Sequence, residues 1–224
     1  MSFKLLSLQY ASFFKDVVMR PNDRFKGLND HLNIFDSIPQ TMPIPDSAPP
    51  EIPVQVLKSS DDKYTCNLSR SRIDFILQRA EAKTSNKDIL KDFNNKVDRL
   101  IPYILDKEEI NRFGMVAKYF FETKDPIDCI KNKYFSDNMV DGSYELGVRF
   151  NKRDSLENMI VNDVVEIYSG QALIEGQEKS GIIILRDINN SPVLDGELSH
   201  KDLMKISQKY SSRLTEESIE GLLL

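Results

Sequence analysis

Three short alternating runs between Val54 and Gln78 constrain this chain more than any other feature. They read VQVLK from Val54, YTCNL from Tyr64 and RIDFILQ from Arg72. Side chains alternate across a pleated strand, so Tyr64, Cys66 and Leu68 share one face, as do Ile73, Phe75 and Leu77. The connections SSDDK and SRS are polar and of hairpin length. The region is therefore expected to form an antiparallel meander with an apolar face that needs a cover.

The clearest helical pattern follows at once, from Ser85 to Asp106. Ile89, Leu90, Phe93, Val97, Leu100, Ile101 and Ile104 fall on one stripe at the 3.6-residue period. Ser85 and Asp88 form a capping-box pattern at its start, and Pro102 should kink the last turn unless the helix ends at Ile101.

A second round of the same order comes next. RFGMVAKYFFE reads as a strand, and DPIDCIKNKYF as a short helix with Pro126 in its first turn. After the DGSY turn, Tyr144, Leu146, Val148 and Phe150 alternate as in a half-buried antiparallel strand. DVVEIYSGQALIEG and SGIIILRDIN read as two further strands, the latter central in a sheet. Ser199 and Asp202 cap a helix carrying Leu203, Ile206, Tyr210 and Leu214, and Thr215 caps a short last helix with Ile219 and Leu222 on one side.

Strands then helix, twice, indicate an α+β fold of antiparallel meanders, each covered by an amphipathic helix, and not a parallel doubly wound sheet. Residues 54–105 and 144–214 share element order without a residue-level repeat, which points to two similar halves. The first 40 residues admit two readings, a buried strand followed by a short helix or one amphipathic helix, ended by Pro21 in either case. Five of the ten prolines then fall between Met42 and Tyr64. They stop at Pro53, so the segment reads as a stiff, unpaired lead into a strand at the sheet edge. The expected organisation is residues 1–53 as an N-terminal element with this lead-in, 54–135 as the first meander and helix, and 136–224 as the second, with 54–224 as one domain in the alternative.

With 224 residues, 40% hydrophobic and 29% charged, the chain has the composition of a globular protein with a sizeable core. No apolar run approaches the ~18–20 residues that span a bilayer, and Ser7, Gln9 and Ser12 interrupt any signal-peptide core, so a cytoplasmic protein without membrane contact is expected. Cys66 and Cys129, far apart, read as buried free thiols, and with only His31 and His200 beside them no metal site and no cofactor is expected. The net charge of −5 argues against a broad basic face, though a global sum leaves room for a local patch.

Catalytic signatures are absent. There is no G-x-G-x-x-G, P-loop, H-E-x-x-H or G-x-S-x-G motif. Asp74 followed by Glu81 and Lys83 loosely matches the acidic pair and lysine of metal-dependent nucleases, although Glu81 and Lys83 lie where the strand should already have ended. Asp187, Asp195 and Glu197 bracket an Asn-rich loop, a composition that turn chemistry alone explains. Arg70, Arg72 and Arg79, with Lys63, Lys83, Lys87 and Lys91, make a locally basic stretch against Asp74, Glu81 and Asp88. Such a stretch is a nucleic-acid-binding candidate, weighed against ordinary solvated charge. His31 beside Asp30 and Asp36, and His200 just after a cap, carry no further signal.

The stretches APPEIPVQVLKSSDDKYTCNLSRSRIDFIL and VDRLIPYILDKEEINRFGMVAKY, with the closing ILRDINN and the helix from Ser199, resemble a sporadically distributed family of prokaryotic proteins of unknown function. That resemblance implies an α+β fold and a prokaryotic or phage setting, and no active site. The leading expectation is a non-enzymatic intracellular protein acting through a protein interface with a partner or a second copy, as an accessory, immunity or toxin-neutralising component of a defence system. The alternatives are a metal-dependent hydrolase or nuclease and a nucleic-acid-binding protein using the basic stretch.

Overall fold

The computed structural model describes residues 3–80, 83–136, 139–156, 159–192 and 196–223. In chain order the elements are β1 (Phe3–Phe14), α1 (Pro21–Arg24), α2 (Leu28–Leu32), β2 (Gln40–Thr41), β3 (Pro53–Lys58), β4 (Tyr64–Ser69), β5 (Arg72–Gln78) and α3 (Asn86–Leu105). They continue with β6 (Ile110–Glu122), α4 (Pro126–Tyr134), β7 (Gly147–Leu156), β8 (Met159–Ile174), β9 (Gln177–Asn190), α5 (His200–Tyr210), a 3₁₀ turn (Ser211–Leu214) and α6 (Glu216–Leu223).

The strands form one nine-stranded sheet, ordered β2-β3-β4-β5-β1-β6-β9-β8-β7, in which every pairing is antiparallel. The protein is thus α+β, and the sheet runs continuously through residues 1–53, 54–135 and 136–224.

The N-terminal segment is the buried strand of its two readings, and it lies at the middle of the sheet between β5 and β6. A register shift between Leu5 and Ser7 breaks its alternation, so Phe3 and Leu5 fall into phase with Leu8, Tyr10 and Phe14 only through a bulge. Pro21 does not terminate this element; it occupies the first turn of α1. The lead-in meets the sheet at Pro53, one strand in from the edge formed by β2. Pro102 likewise does not end α3, which continues to Leu105.

The helices pack on one face. Buried residues of α1 to α6 and their connections, among them Phe25, Leu28, Phe93, Ile130, Leu203 and Ile219, join Leu8, Phe75, Met115 and Ile184 in one apolar cluster. Phe75 is stacked between Tyr64 and Phe93, with ring centroids 5.9 and 5.6 Å apart, fixing α3 against β4 and β5. A separate small cluster on the opposite face consists of Phe120, Ile174 and Ile183 with Leu6, Tyr168 and Ala172, all from strands.

Two polar devices tie helices to the sheet. Where β1 extends past the end of β5, the Asn86 amide takes over: its Oδ1 accepts from Leu5 N at 3.0 Å and its Nδ2 donates to Phe3 O at 2.7 Å. Asp163 on β8, 2% exposed, accepts two hydrogen bonds from Arg186 (2.8 and 2.7 Å) and one from Arg213 (2.7 Å), while Arg186 also donates to Ser218 in α6. Ser199 and Asp202 form both halves of the capping box that starts α5.

Candidate functional site

The strand register sets out the side of the sheet opposite the cluster that the helices join among the described residues. One lateral row crosses eight strands: Val56, Asn67, Asp74, Ala11, Gly114, Asn189, Asn162 and Arg153. The next row contains Ile76, Gln9, Val116, Asp187 and Val164. Along β6, half-buried Arg112, Val116 and Lys118 on this side alternate with buried Phe113, Met115, Ala117 and Tyr119 on the helix side. The same phase places Gln9 and Phe13 of β1, and Leu185 and Asp187 of β9, on the uncovered side.

Amides link this surface laterally. Asn151 donates to Asn162 at 3.2 Å, and Asn162 donates to Asn189 at 3.1 Å, across β7, β8 and β9. Gln9 donates to Asp74 at 2.9 Å. Toward one end of the strands, Arg72 and Arg112 sit over the Phe13 ring at 5.4 and 4.7 Å from its centroid, and the buried Nε of Arg112 has no hydrogen-bond partner among the described residues. Toward the other end, the β8–β9 hairpin reaches back over the sheet, Glu175 pairing with Lys4 at 2.9 Å. A cleft of about 460 Å³ lies beside it, lined by Leu6, Ser7, Gln78 and Lys118 among others. Lys118 makes no ion pair among the described residues.

Two carboxylates on this face are perturbed by their surroundings. Burial pushes the Asp74 carboxyl above the ordinary range against the opposing pull of Arg72, 2.9 Å away, and of Gln9. Burial likewise raises Asp187, opposed by its hydrogen bond with Asn189 and by the charge of Arg112. Asp74 and Asp187 stand three strands apart, roughly 14 Å at the usual strand spacing. A single ion with oxygen ligands at ~2.0–2.6 Å does not span that distance. Among the described residues no group of three or more His, Cys, Asp and Glu side chains is disposed to hold a metal ion.

The remaining sequence candidates are dispersed. Glu81 and Asp195 lie outside the described residues. Lys83 is exposed in the turn before α3, beyond the end of β5, and Glu197 is exposed ahead of α5. Arg70 donates to the carbonyl oxygens of Asp46 (2.8 Å) and Ala48, fastening the proline-rich lead-in to the β4–β5 turn. Arg79 donates to the carbonyls of Leu5 and Thr84 and to Asn86, at the junction of β1 and α3. Of the three arginines, Arg72 is placed on the uncovered side by the strand register, and Arg79 borders the cleft beside the β8–β9 hairpin.

Lys63 pairs with Asp92 at 3.1 Å, and Lys87 and Lys91 are exposed on α3, in the helix layer. The His31 ring lies 2.9 Å from the Arg99 carbonyl and stacks on Tyr103, whereas Asp36 accepts from Ser60. His200 is exposed in the first turn of α5. Cys66 is buried, with its thiol pushed up by that burial, while Cys129 is half-buried.

Gln9, Phe13, Arg112, Lys118, Asn162 and Asn189 were not singled out by the sequence. The available signal was the other half of the alternation, the polar residues between the buried ones in β1, β6, β8 and β9. The fold defines an α+β protein in which buried helix residues share one apolar cluster with one set of strand side chains. No protein-family model matches the chain, and no curated protein matches it in sequence. No helix among the described residues is long and apolar enough to cross a membrane.

Proposed function

We propose that this protein acts by binding and not by catalysis, and that its working surface is the sheet face opposite the helices. The observation that carries this is the segregation of the helices: their buried side chains share one cluster with the inner sheet face, and among the described residues none joins the cluster on the other. A sheet of nine strands with one face left half-buried, mixing Ile76, Val116 and Leu185 with Gln9, Asn162 and Lys118, has the makeup of an interface.

We also read the molecule as one unit built twice, each meander under its own amphipathic helix. Counted inward from each side, β3-β4-β5-β1 and β7-β8-β9-β6 follow the same chain order, and β1 meets β6 antiparallel, as a two-fold relation between halves requires. The resemblance to a scattered prokaryotic family supports an accessory place for such a binder in a defence system.

The test is site-specific photo-crosslinking in cells from Val116, on the uncovered face, and from Lys201, on α5. Adducts from Val116 and none from Lys201 are expected. Adducts from Lys201 alone would refute the assignment of the working face.

A further inference from the structure

We infer that the uncovered face takes a DNA duplex. This rests on the proposed working face and adds the chemistry of its occupant. Away from the hairpin tip, where Lys4 pairs with Glu175 and Lys179 with Glu122, the face carries the cations Lys58, Arg72, Arg112, Lys118, Arg149 and Arg153. Against them stand Asp74, Asp187 and Glu166, of which Asp74 is held by Arg72 and Glu166 by Arg149 at 2.8 Å. In a chain of net charge −5 this one face is therefore positive, and the rest of the molecule carries more than the whole of the negative excess. Segregation of that kind favours a polyanion on the sheet side.

Shape and side-chain type narrow the polyanion. Nine strands at the usual spacing span roughly 38 Å, close to one turn of B-DNA at ~34–36 Å. The middle of the lateral row is low, because Ala11 and Gly114 face each other where β1 meets β6. On either side of that low point lie amides: Gln9 and Asn67 toward β4, Asn189 and Asn162 toward β7. Gln9 donates to Asp74 and Asn162 to Asn189 here, so the amides make a polar, uncharged floor between the flanking cations. Lys58 on β3 and Arg149 and Arg153 on β7 stand seven strand spacings apart, roughly 34 Å, the repeat at which successive turns of one duplex backbone meet the same side.

A single strand fits less well, since single-strand platforms offer free aromatic faces for base stacking. Here the Phe13 ring is already engaged by two guanidinium groups, and Tyr168 packs with the Phe120 cluster. Arg112, half-buried over the Phe13 ring, adds a second guanidinium beside Arg72 at this end of the face.

The test is fluorescence anisotropy with the full chain and a labelled DNA duplex of about 20 base pairs, beside the same sequence as a single strand and as an RNA duplex. The wild type should bind the DNA duplex with a dissociation constant of ~1–100 µM at about 50 mM salt, weakening steeply as salt rises. R112E combined with K118E should weaken binding at least ~10-fold and flatten the salt dependence by about two units of log–log slope. K118Q alone, which leaves the Phe13 stack intact, should weaken it by a smaller factor, and K201E on α5 should leave it unchanged. Circular dichroism melts show that each variant is folded. Absence of duplex binding, tighter binding of the single strand or RNA duplex, or equal losses from K201E would overturn the inference. A protein adduct from Val116 without DNA binding would overturn this occupant while leaving the working face intact.

Discussion

Asp163→Asn isolates the buried charge cluster under the second half of the sheet. Asp163 is 2% exposed and Arg186 8%, and the carboxylate answers two guanidinium groups through three hydrogen bonds of 2.7–2.8 Å. The amide conserves volume and removes the negative charge, which leaves the Arg186 guanidinium buried without compensation. Breaking one partner of such a pair costs about 3–5 kcal/mol, and for a chain of this length each kcal/mol lowers Tm by ~2–4 °C, so a drop of roughly 6–20 °C is expected near neutral pH.

The pH dependence follows from the same geometry. Burial alone would raise the Asp163 carboxyl, but hydrogen bonds and charge from Arg186 and Arg213 override it and hold the group below the ordinary range. A depressed folded-state value means that the stabilisation is complete above the unfolded value, about 4, and is lost as pH falls through the folded one. Urea denaturation of both proteins from neutral to acid pH should therefore show a gap that narrows below pH ~4. D163L combined with R186M, which removes both buried charges, should lose less than D163N. A D163N loss under ~1 kcal/mol at neutral pH, or a gap that ignores acid, would refute the argument.

Three other substitutions probe separate links. N86A removes the side chain that satisfies Leu5 N and Phe3 O, and should cost about 2–6 kcal/mol in urea denaturation, since each of the two buried groups left unpaired costs ~1–3 kcal/mol. G181A would place a Cβ 2.6 Å from the Phe120 ring and against the Phe121 carbonyl, so a loss of at least ~1–3 kcal/mol is expected by thermal melt. At Asp74 the sign is opposite to that at Asp163: a raised folded value means the charged form costs stability above that value and the cost vanishes in acid. D74N should therefore keep or raise Tm at neutral pH; a clear fall would show that the ion pair with Arg72 outweighs burial.

The elements that the sequence made plain are those whose local signals agree. Val54–Gln78 alternates cleanly and becomes β3, β4 and β5, while Ser85 and Ser199 both accept from the backbone N–H three residues on, capping α3 and α5. The misjudged elements are those where tertiary structure decides. The bulge at Leu6 put FKLLSLQY out of phase with a simple strand, and nothing local marked it as the centre of the sheet. In β7 the alternation was extended back to Tyr144, which is 91% exposed, because an edge strand gives little burial to read. Arg70 and Arg79 looked like surface cations because the carbonyls they satisfy, at Asp46 and Ala48 and at Leu5 and Thr84, belong to segments distant in sequence or irregular in structure.

The candidate face was hidden for a different reason. Each strand displays its polar alternates, but only the order β5-β1-β6-β9-β8 sets Gln9, Val116, Asp187 and Val164 side by side, and that order joins residues more than a hundred positions apart. The net charge of −5 is a sum over the whole chain and does not register how the strand order gathers particular cations on one face. Arg112, Lys118, Arg149 and Arg153 fall on the sheet side, α6 carries Glu216, Glu217 and Glu220 while α5 carries Lys201, Lys205 and Lys209, and further acids such as Glu108, Glu109, Asp125 and Asp141 sit in the connections. A sum over composition therefore weighs on the proposed polyanion less than the local charge of the face it would meet, and the paired substitutions on that face and on α5 read that local charge directly.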